Sequence, residues 1–250
     1  MLRFLEKTVG EIAAEFPGAP KVLEKHHIDY CTGGYHPFRE ACRVAGVAAE
    51  DILQEIRLAA SPSVLGEENW KSQPTGNLIE HLVTMHHHWS TEIIPLIESL
   101  LERVEAEPAL ASSLPSITRI RRLFTRMRHE LEQHLRKEEN VLFPAILSME
   151  RCLASGVPMP RQPFGSVQNP IALMESDHDA DARIWDELHD LTYGYTVPDN
   201  SPESVRLLFR ELHKLETAIH EHTHLENNIL FPRVVNLERG LRPATKSRTA

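Results

Sequence analysis

The chain has three cysteines in 250 residues, Cys31, Cys42 and Cys152. They are scattered and odd in number, which excludes a disulfide framework and points to a reducing compartment, the cytoplasm. No apolar run approaches the ~20 residues that a membrane span needs. Met1 to Pro17 carries Glu6, Lys7, Glu11 and Glu15. Those charges leave no apolar core for a signal peptide or an anchor. Basic charge is also scarce: the net charge is -9, which argues against general nucleic-acid binding, because a phosphate backbone demands a basic face. Arg239, Arg242, Lys246 and Arg248 form a basic tail over 239–250, expected to be frayed and solvated. Alternating strand patterns are absent throughout. What remains is ordinary for a folded soluble protein, 41% hydrophobic and 25% charged, and long enough for a small domain plus a medium one.

Residues 1–60 read as a small domain of short helices. Thr8 with Glu11 is a capping-box signature. A second helix spans about Ala19 to His27 and stops before Cys31-Thr32-Gly33-Gly34. Pro37 opens a third, and Ala48 to Ala60 forms a fourth. Residues 61–75 read as a linker, with Trp70 pinning it to a neighbour. Four long helices follow within 76–238, at about 76–105, 116–153, 170–193 and 202–237. The expected fold is all-α, an antiparallel four-helix bundle preceded by the small helical domain.

Fifteen histidines are present, and their placement carries the chemistry. The second long helix has a core-facing stripe at Ile120, Phe124, Met127, Leu131, His134, Glu138, Val141 and Ala145. The fourth has one at Val205, Leu208, Leu212, Leu215, Ile219, His222, Glu226 and Ile229. Each places a His and a Glu, one turn apart, where the seam is otherwise apolar. Burying an unpaired carboxylate costs roughly several kcal/mol, so something must offset it. A dication bound by both side chains does. The two sites share the pattern H-x-x-x-E-x-N-x-L-F-P, from His134 and again from His222, 88 residues apart. The repeat implies two similar helix pairs about an approximate twofold axis.

The axis calls for one more ligand on each partner helix. His178 sits in the seam Ile171, Met174, His178, Asp181, Trp185 and Leu188, 44 residues before His222. The matching position on the first helix falls in His86-His87-His88. Periodicity leaves both His86 and His87 open, with His87 on the Ile79, Val83, Ile94, Leu101 line. Four imidazoles and two carboxylates suit a pair of iron or manganese ions, with positions left for O2 or NO. Glu130 and Asp177 read equally as orienting carboxylates and as solvated charges. His81, His129, His213, His220 and His224 read as surface or helix-end residues, and His224→Ala as nearly silent. Cys42 and Cys152 read as packing residues.

These motifs are similar to those of the iron-sulfur cluster repair di-iron proteins, a branch of the hemerythrin-like superfamily. Asp29-Tyr30-Cys31-Thr32-Gly33-Gly34 resembles the family's Asp-aromatic-Cys-Cys-Gly-Gly signature. Leu78-Ile79-Glu80-His81 leading to His87, the His134/Glu138 motif, Met174 to His178, and His222/Glu226 with Asn227-Asn228 resemble its bundle. The resemblance selects His87 over His86. It implies two irons per chain held by His87, His134, His178 and His222, with Glu138 and Glu226 bridging. It also implies repair of iron-sulfur clusters damaged by nitric oxide or oxidants, by iron donation. Two alternatives share the site: a di-iron NO or peroxide reductase, and an O2- or NO-binding sensor. The implied partners are damaged iron-sulfur proteins, NO, O2 and a second copy in a homodimer, with neither nucleic acid nor membrane. Where the family has a second cysteine this chain has Thr32. That excludes a vicinal dithiol and leaves Cys31 as the one candidate reactive thiol.

Overall fold

The computed structural model describes residues 2–59, 69–106, 116–159, 161–197, 199 and 201–241. Most of the expected linker (61–68) and of the basic tail (242–250) lies outside them.

Five short helices make the N-terminal domain: α1 (Leu2–Leu5), α2 (Val9–Glu15), α3 (Ala19–Lys25), α4 (Phe38–Val44) and α5 (Ala49–Ala59). The capping box at α2 is formed, with Thr8 accepting from the Glu11 amide and Glu11 accepting from the Thr8 amide. Pro37 caps α4. Val9, Ile12, Leu23, Phe38, Cys42, Leu53 and Ile56 are buried in a core of the domain's own. Asp29 organises the loop between α3 and α4. It accepts from the amides of Cys31 and Gly33 and from the Thr32 hydroxyl, at 2.7–3.0 Å. The Asp-Tyr-Cys-Thr-Gly-Gly stretch is therefore a carboxylate-tied turn.

Four long helices follow: α6 (75–106), α7 (117–155), α8 (Gln168–Leu191) and α9 (203–241). Trp70 stacks on His81 at 4.2 Å and its carbonyl accepts from Arg233, so the pinning role expected of it is fulfilled. The bundle has two apolar cores. One gathers Ile94, Leu101, Phe124, Leu131, Trp185 and Leu212; the other gathers Leu78, Leu142, Phe143, Met174, Leu230 and Phe231. Along α6 and α8 the chain passes from the second core to the first. Along α7 and α9 it passes from the first to the second. That alternation is the up-down-up-down topology expected of short connections. Between the cores, at one level on all four helices, lie His87, His134, Glu138, His178, His222 and Glu226.

Three helices widen at this level into π turns: Leu82–His87, Glu138–Leu142 and Glu226–Leu230. The amides of His88, Phe143 and Phe231 donate five residues back, to Val83, Glu138 and Glu226. In α7 and α9 a proline follows directly, Pro144 or Pro232. Its ring would crowd the carbonyl four residues earlier in a regular helix, and the wider turn relieves this. The extra residue also corrects the expected seam. Val141 is 46% exposed, and Leu142, at 1%, takes its place in the core.

The small domain docks on α9. The Asn228 amide donates to the Tyr30 carbonyl at 2.8 Å, and the Tyr30 ring meets the edge of His224. His224 is 3% exposed, and its Nδ1 faces the Asn228 amide nitrogen at 2.9 Å. The expected surface placement of His224 is thus overturned: α9 is covered on that face by a second domain, and His224→Ala opens the seam. Gly10 and Gly34 let the domain approach. A Cβ at Gly10 would collide with Asn228 Oδ1, and one at Gly34 would lie 2.6 Å from it. Gly10→Ala is expected to destabilise the protein by about 1–3 kcal/mol, the usual range for overpacking. Thermal unfolding of Gly10→Ala, Asn228→Ala and the double variant checks this. The cost should be non-additive, because truncating Asn228 removes the clash.

Candidate metal centre

Each helix contributes to the central layer what its sequence pattern places there. His134 and Glu138 lie one above the other on α7, and His222 and Glu226 do so on α9, as i,i+4 spacing requires. α6 adds His87 and α8 adds His178. All six are at most 4% exposed, and both glutamates are at 0%. Ligand atoms of His134, Glu138, His178, His222 and Glu226 lie within 4.8 Å of one another. His87 joins from the side, its Nε2 3.2 Å from Glu138 Oε2. His86, the other imidazole left open by periodicity, is buried behind the layer, with its Nδ1 3.2 Å from the Ala218 carbonyl.

The two carboxylates bridge the imidazoles. Glu138 lies 2.9 Å from His134 Nε2 through Oε1, and 3.2 and 3.7 Å from His87 and His222 through Oε2. Glu226 Oε2 lies 3.3 Å from both His178 and His222 and 4.0 Å from His134. Close as they are, these groups are not aligned as hydrogen bonds. Both oxygens of each glutamate, with His87 Nε2 and His222 Nε2, are buried without a hydrogen-bond partner. Orphaned buried donors and acceptors demand an explanation. Cations at the centre of the layer satisfy all of them at once.

Three of the outward Nδ1 atoms have partners. His87 Nδ1 meets Glu139 at 2.7 Å, His134 Nδ1 meets Asp177 at 3.4 Å, and His178 Nδ1 meets Asn227 Oδ1 at 3.0 Å. A proton held on each Nδ1 leaves the Nε2 lone pair facing inward, the tautomer a metal requires. Asp177 thereby takes the orienting role that was one of its two readings, and Lys137 also donates to it at 2.7 Å. Glu130 takes the other reading, a half-exposed partner of Arg126. Sequence reasoning missed Glu139 and Asn227. The signal was present: each directly follows a motif glutamate, so the repeat places both at one register. Asp181, read only as a seam position, is a buried carboxyl pushed up to about 7, chiefly by burial.

Electrostatics show how tightly the layer is coupled. Burial alone would raise the Glu138 carboxyl, but the imidazoles of His134, His222 and His87 hold it well below the usual carboxylate range. Burial would lower His134, yet the Glu138 and Asp177 carboxylates hold it well above its ordinary value. His222 is raised to about 9 by Glu226 and Glu138 against the same opposing burial. Cys31 is different. Burial and then the Asp29 charge push its thiol well above the ordinary value, and its Sγ donates to Asp29 Oδ1 at 3.3 Å. A nucleophile or metal ligand needs the thiolate, so this environment opposes the reactive role expected of Cys31. Its link to the layer is through the backbone: the Asn227 amide donates to the Cys31 carbonyl at 3.3 Å.

A buried layer of imidazoles and carboxylates inside an antiparallel bundle, with a small helical domain docked on its last helix, defines a hemerythrin-type cation-binding protein. Residues 78–234 match the hemerythrin HHE cation-binding domain, and residues 5–60 match a domain of unknown function, DUF542. Iron-sulfur cluster repair proteins YtfE of Yersinia pestis (strain Pestoides F) and Yersinia pseudotuberculosis (serotype O:1b, strain IP 31758) are each 30% identical over 243 residues, covering 94% of this chain and 99% of theirs. The chain belongs to the iron-sulfur cluster repair family of hemerythrin-like proteins. The buried His/Glu layer fits a di-iron site.

A pH dependence follows from the layer. The folded His222 value, about 9, exceeds its ordinary 6.5, so its stabilisation is complete below pH ~6.5 and is lost as pH rises through about 9. Glu138, with its depressed value, contributes above its ordinary 4.5 and loses that contribution only as pH falls. The Tm of chelator-stripped protein should therefore fall between pH 6.5 and 9. Metal should reverse the trend, because it competes with those protons. Circular dichroism melts of stripped and loaded protein across that window test this; a flat profile for the stripped protein contradicts it.

Proposed function

We propose that the protein holds two iron ions in the central layer and supplies iron to iron-sulfur clusters damaged by nitric oxide or oxidants. One observation carries the reading: six inward-facing residues, of which His87, Glu138, His222 and Glu226 have orphaned buried atoms, in a chain whose relatives are named iron-sulfur cluster repair proteins. His87 and His222 would hold one ion and His134 and His178 the other, with the Glu138 and Glu226 carboxylates available to both. The ring separations support that pairing, 5.2 Å for His87–His222 and 4.7 Å for His134–His178. Manganese accepts the same donors; the relatives' name favours iron. Bound iron supplies redox capacity and open positions for NO or O2.

The chain's own residues make the iron exchangeable. Glu139, Asp177 and Asn227 hold three rings in the binding tautomer. The two apolar cores keep bulk water from the layer. When iron leaves, His134 and His222 take up protons and pair with Glu138 and Glu226. Release thus exchanges a dication for protons and leaves no bare buried carboxylates, which lowers the cost of donation. The clients are damaged iron-sulfur proteins in the cytoplasm. All six donors come from one chain, so a homodimer is not needed to complete the site.

Glu138→Ala and Glu226→Ala should each lower iron affinity by more than about 10–100-fold, the effect of losing only an outer partner. Wild-type metal content in both variants, measured by elemental analysis, would sink the site. For function, protein loaded anaerobically with ferrous iron is mixed with an NO-damaged iron-sulfur dehydratase. Glu138→Ala and matched free ferrous iron serve as controls. Recovery of dehydratase activity beyond free iron, absent in the variant, is the expected outcome. No recovery with two irons bound per chain overturns donation and moves the function to NO or O2 chemistry at the metal.

A further inference from the structure

A cleft between the small domain and the bundle carries carboxylates that no lysine or arginine offsets. Its volume is about 270 Å³, and it opens where α3 and the loop after it face α8 and α9. Glu24, Asp29, Asp186 and Glu216 line it, and none of its lining residues is lysine or arginine. Two of the carboxylates are engaged within the chain. Glu24 pairs with His220 at 3.0 Å, and Asp29 is taken up by the amides and the hydroxyl of its own turn. Asp186 and Glu216 remain.

Glu216 lies at the buried end of the cleft and Asp186 at its mouth. Glu216 is 5% exposed, whereas Asp186 is open to solvent. The groups around Glu216 do not close on it. His189 Nδ1 and His213 Nδ1 each stand 3.8 Å from its Oε2, too far for a hydrogen bond. The Tyr195 hydroxyl beside it is buried without an aligned partner. A buried carboxyl in such surroundings is costly as an anion, and it keeps its proton instead. Burial, reinforced by the Glu24 and Asp186 charges, pushes it up to about 7 against the pull of His220. A cation entering the cleft removes that cost.

The walls are flat rings. His27, Tyr30, His189 and His213 line the cleft. His27 and His189 meet edge to face at 5.9 Å, and the Tyr195 ring backs His189 and His213 at 5.6 and 5.3 Å. Burial and the adjoining His27 and His213 rings hold His189 below its ordinary value, which favours the neutral ring. Rings beside a carboxylate suit a planar, delocalised cation. Such a cation stacks on a ring face and pairs with carboxylate oxygens through two N–H groups. Among the described residues, donors converge as a metal ion requires only in the central layer, so the matching guest is an organic cation. The volume, just below the usual range of small-molecule sites, admits a guest the size of a side chain.

We propose that the interdomain cleft binds an alkylguanidinium cation, with Glu216 pairing with the guanidinium head and Asp186 adding negative charge at the mouth. An arginine side chain of another protein and a small free guanidine both present this group. Binding is linked to the ionisation of Glu216. The guest favours the carboxylate, so a proton leaves as it enters, and affinity rises as pH climbs through about 7. The other groups facing Glu216 act with the same sign. Glu24 and Asp29 of the small domain and Asp186 of α8 are acidic. The imidazoles of His27 in the loop after α3, His189 on α8, and His213 and His220 on α9 repel a cation only when protonated, at low pH. The site is separate from the central layer and does not rest on iron donation.

The test uses the full chain with its central layer loaded anaerobically with ferrous iron, and iron content is measured first. Butylguanidinium and N-acetylarginine amide are titrated separately by calorimetry at constant ionic strength, with butylurea as the neutral match in shape. Saturable guanidinium binding is expected, weaker at pH ~6 than at pH ~8 by up to about tenfold. Glu216→Gln should lower the affinity at the higher pH by more than about tenfold. Asp186→Asn, at an exposed position that leaves the fold intact, should lower it by a smaller factor. Iron content should not change in either variant. Butylguanidinium binding alone assigns a free guanidine to the cleft; N-acetylarginine amide binding alone assigns an arginine of another chain. No saturable binding of either guanidinium, butylurea binding as tightly as butylguanidinium, or undiminished affinity in both variants overturns the proposal. Should Glu216→Gln fail to fold, undiminished affinity in Asp186→Asn overturns it alone. Failure of the central site appears separately, as missing iron before any titration.

Discussion

Glu138 and Glu226 are fully buried between two apolar cores, and the rest of the architecture answers to that fact. A carboxylate there without a partner costs several kcal/mol. Four imidazoles, one from each helix, surround the pair, and the outward nitrogens of His87, His134 and His178 are anchored by Glu139, Asp177 and Asn227. Net compensation then comes from outside the chain, as cations, or from water, as protons on His134 and His222. One polar layer can therefore be closed in two chemically distinct ways with the same side chains. The proposed iron donation relies on that property.

The twofold repeat is faithful at the layer and broken around it. Glu139 and Asn227 stand at equivalent positions and do equivalent work, each on the partner helix's histidine. One residue further, Asn140 is exposed and donates to its own helix at the Arg136 carbonyl. Its counterpart Asn228 reaches the Tyr30 carbonyl and holds the small domain in place. The same pseudo-symmetry places His86 opposite Asp177, so one ring of the layer has a carboxylate behind it and another has an imidazole, with His86 and His222 ring centres 5.7 Å apart. The two ions of the pair would then differ in surroundings despite similar ligands.

Much of this was legible in the sequence because the seam periodicity, the duplicated H-x-x-x-E and the capping residues are local signals. The four helices, five of the six inward residues and the capping box follow from spacing; between His86 and His87 the family resemblance, not the spacing, decided. The π turns were not legible. They insert one residue without altering composition, and only a proline after the motif hints at them; the consequence was the misplacement of Val141. His224 was misread for a different reason. Its burial is imposed by a separate domain some two hundred residues away in the chain, and no periodicity within α9 reports that contact. Cys31 shows the limit of motif reading: the motif marks a turn tied by Asp29, and the charge that ties the turn also keeps the sulfur protonated.

The docked domain therefore acts on the layer through its backbone. The Cys31 carbonyl accepts from Asn227, whose Oδ1 in turn faces His178 Nδ1. Asn227 thus joins the carboxylate-tied turn to a ring of the metal layer in two hydrogen bonds. Any displacement of the small domain frees the Asn227 amide group to rotate, and His178 loses the contact that fixes its tautomer. Asn227 is therefore shared between the docked domain and one imidazole of the layer. The glycines at 10 and 34 permit the close approach on which this contact depends. Thr32 reinforces the arrangement by donating to Asp29. The hydroxyl keeps the turn closed where a second thiol would have been a weaker donor, and in this chain the small domain works as a clamp on the bundle.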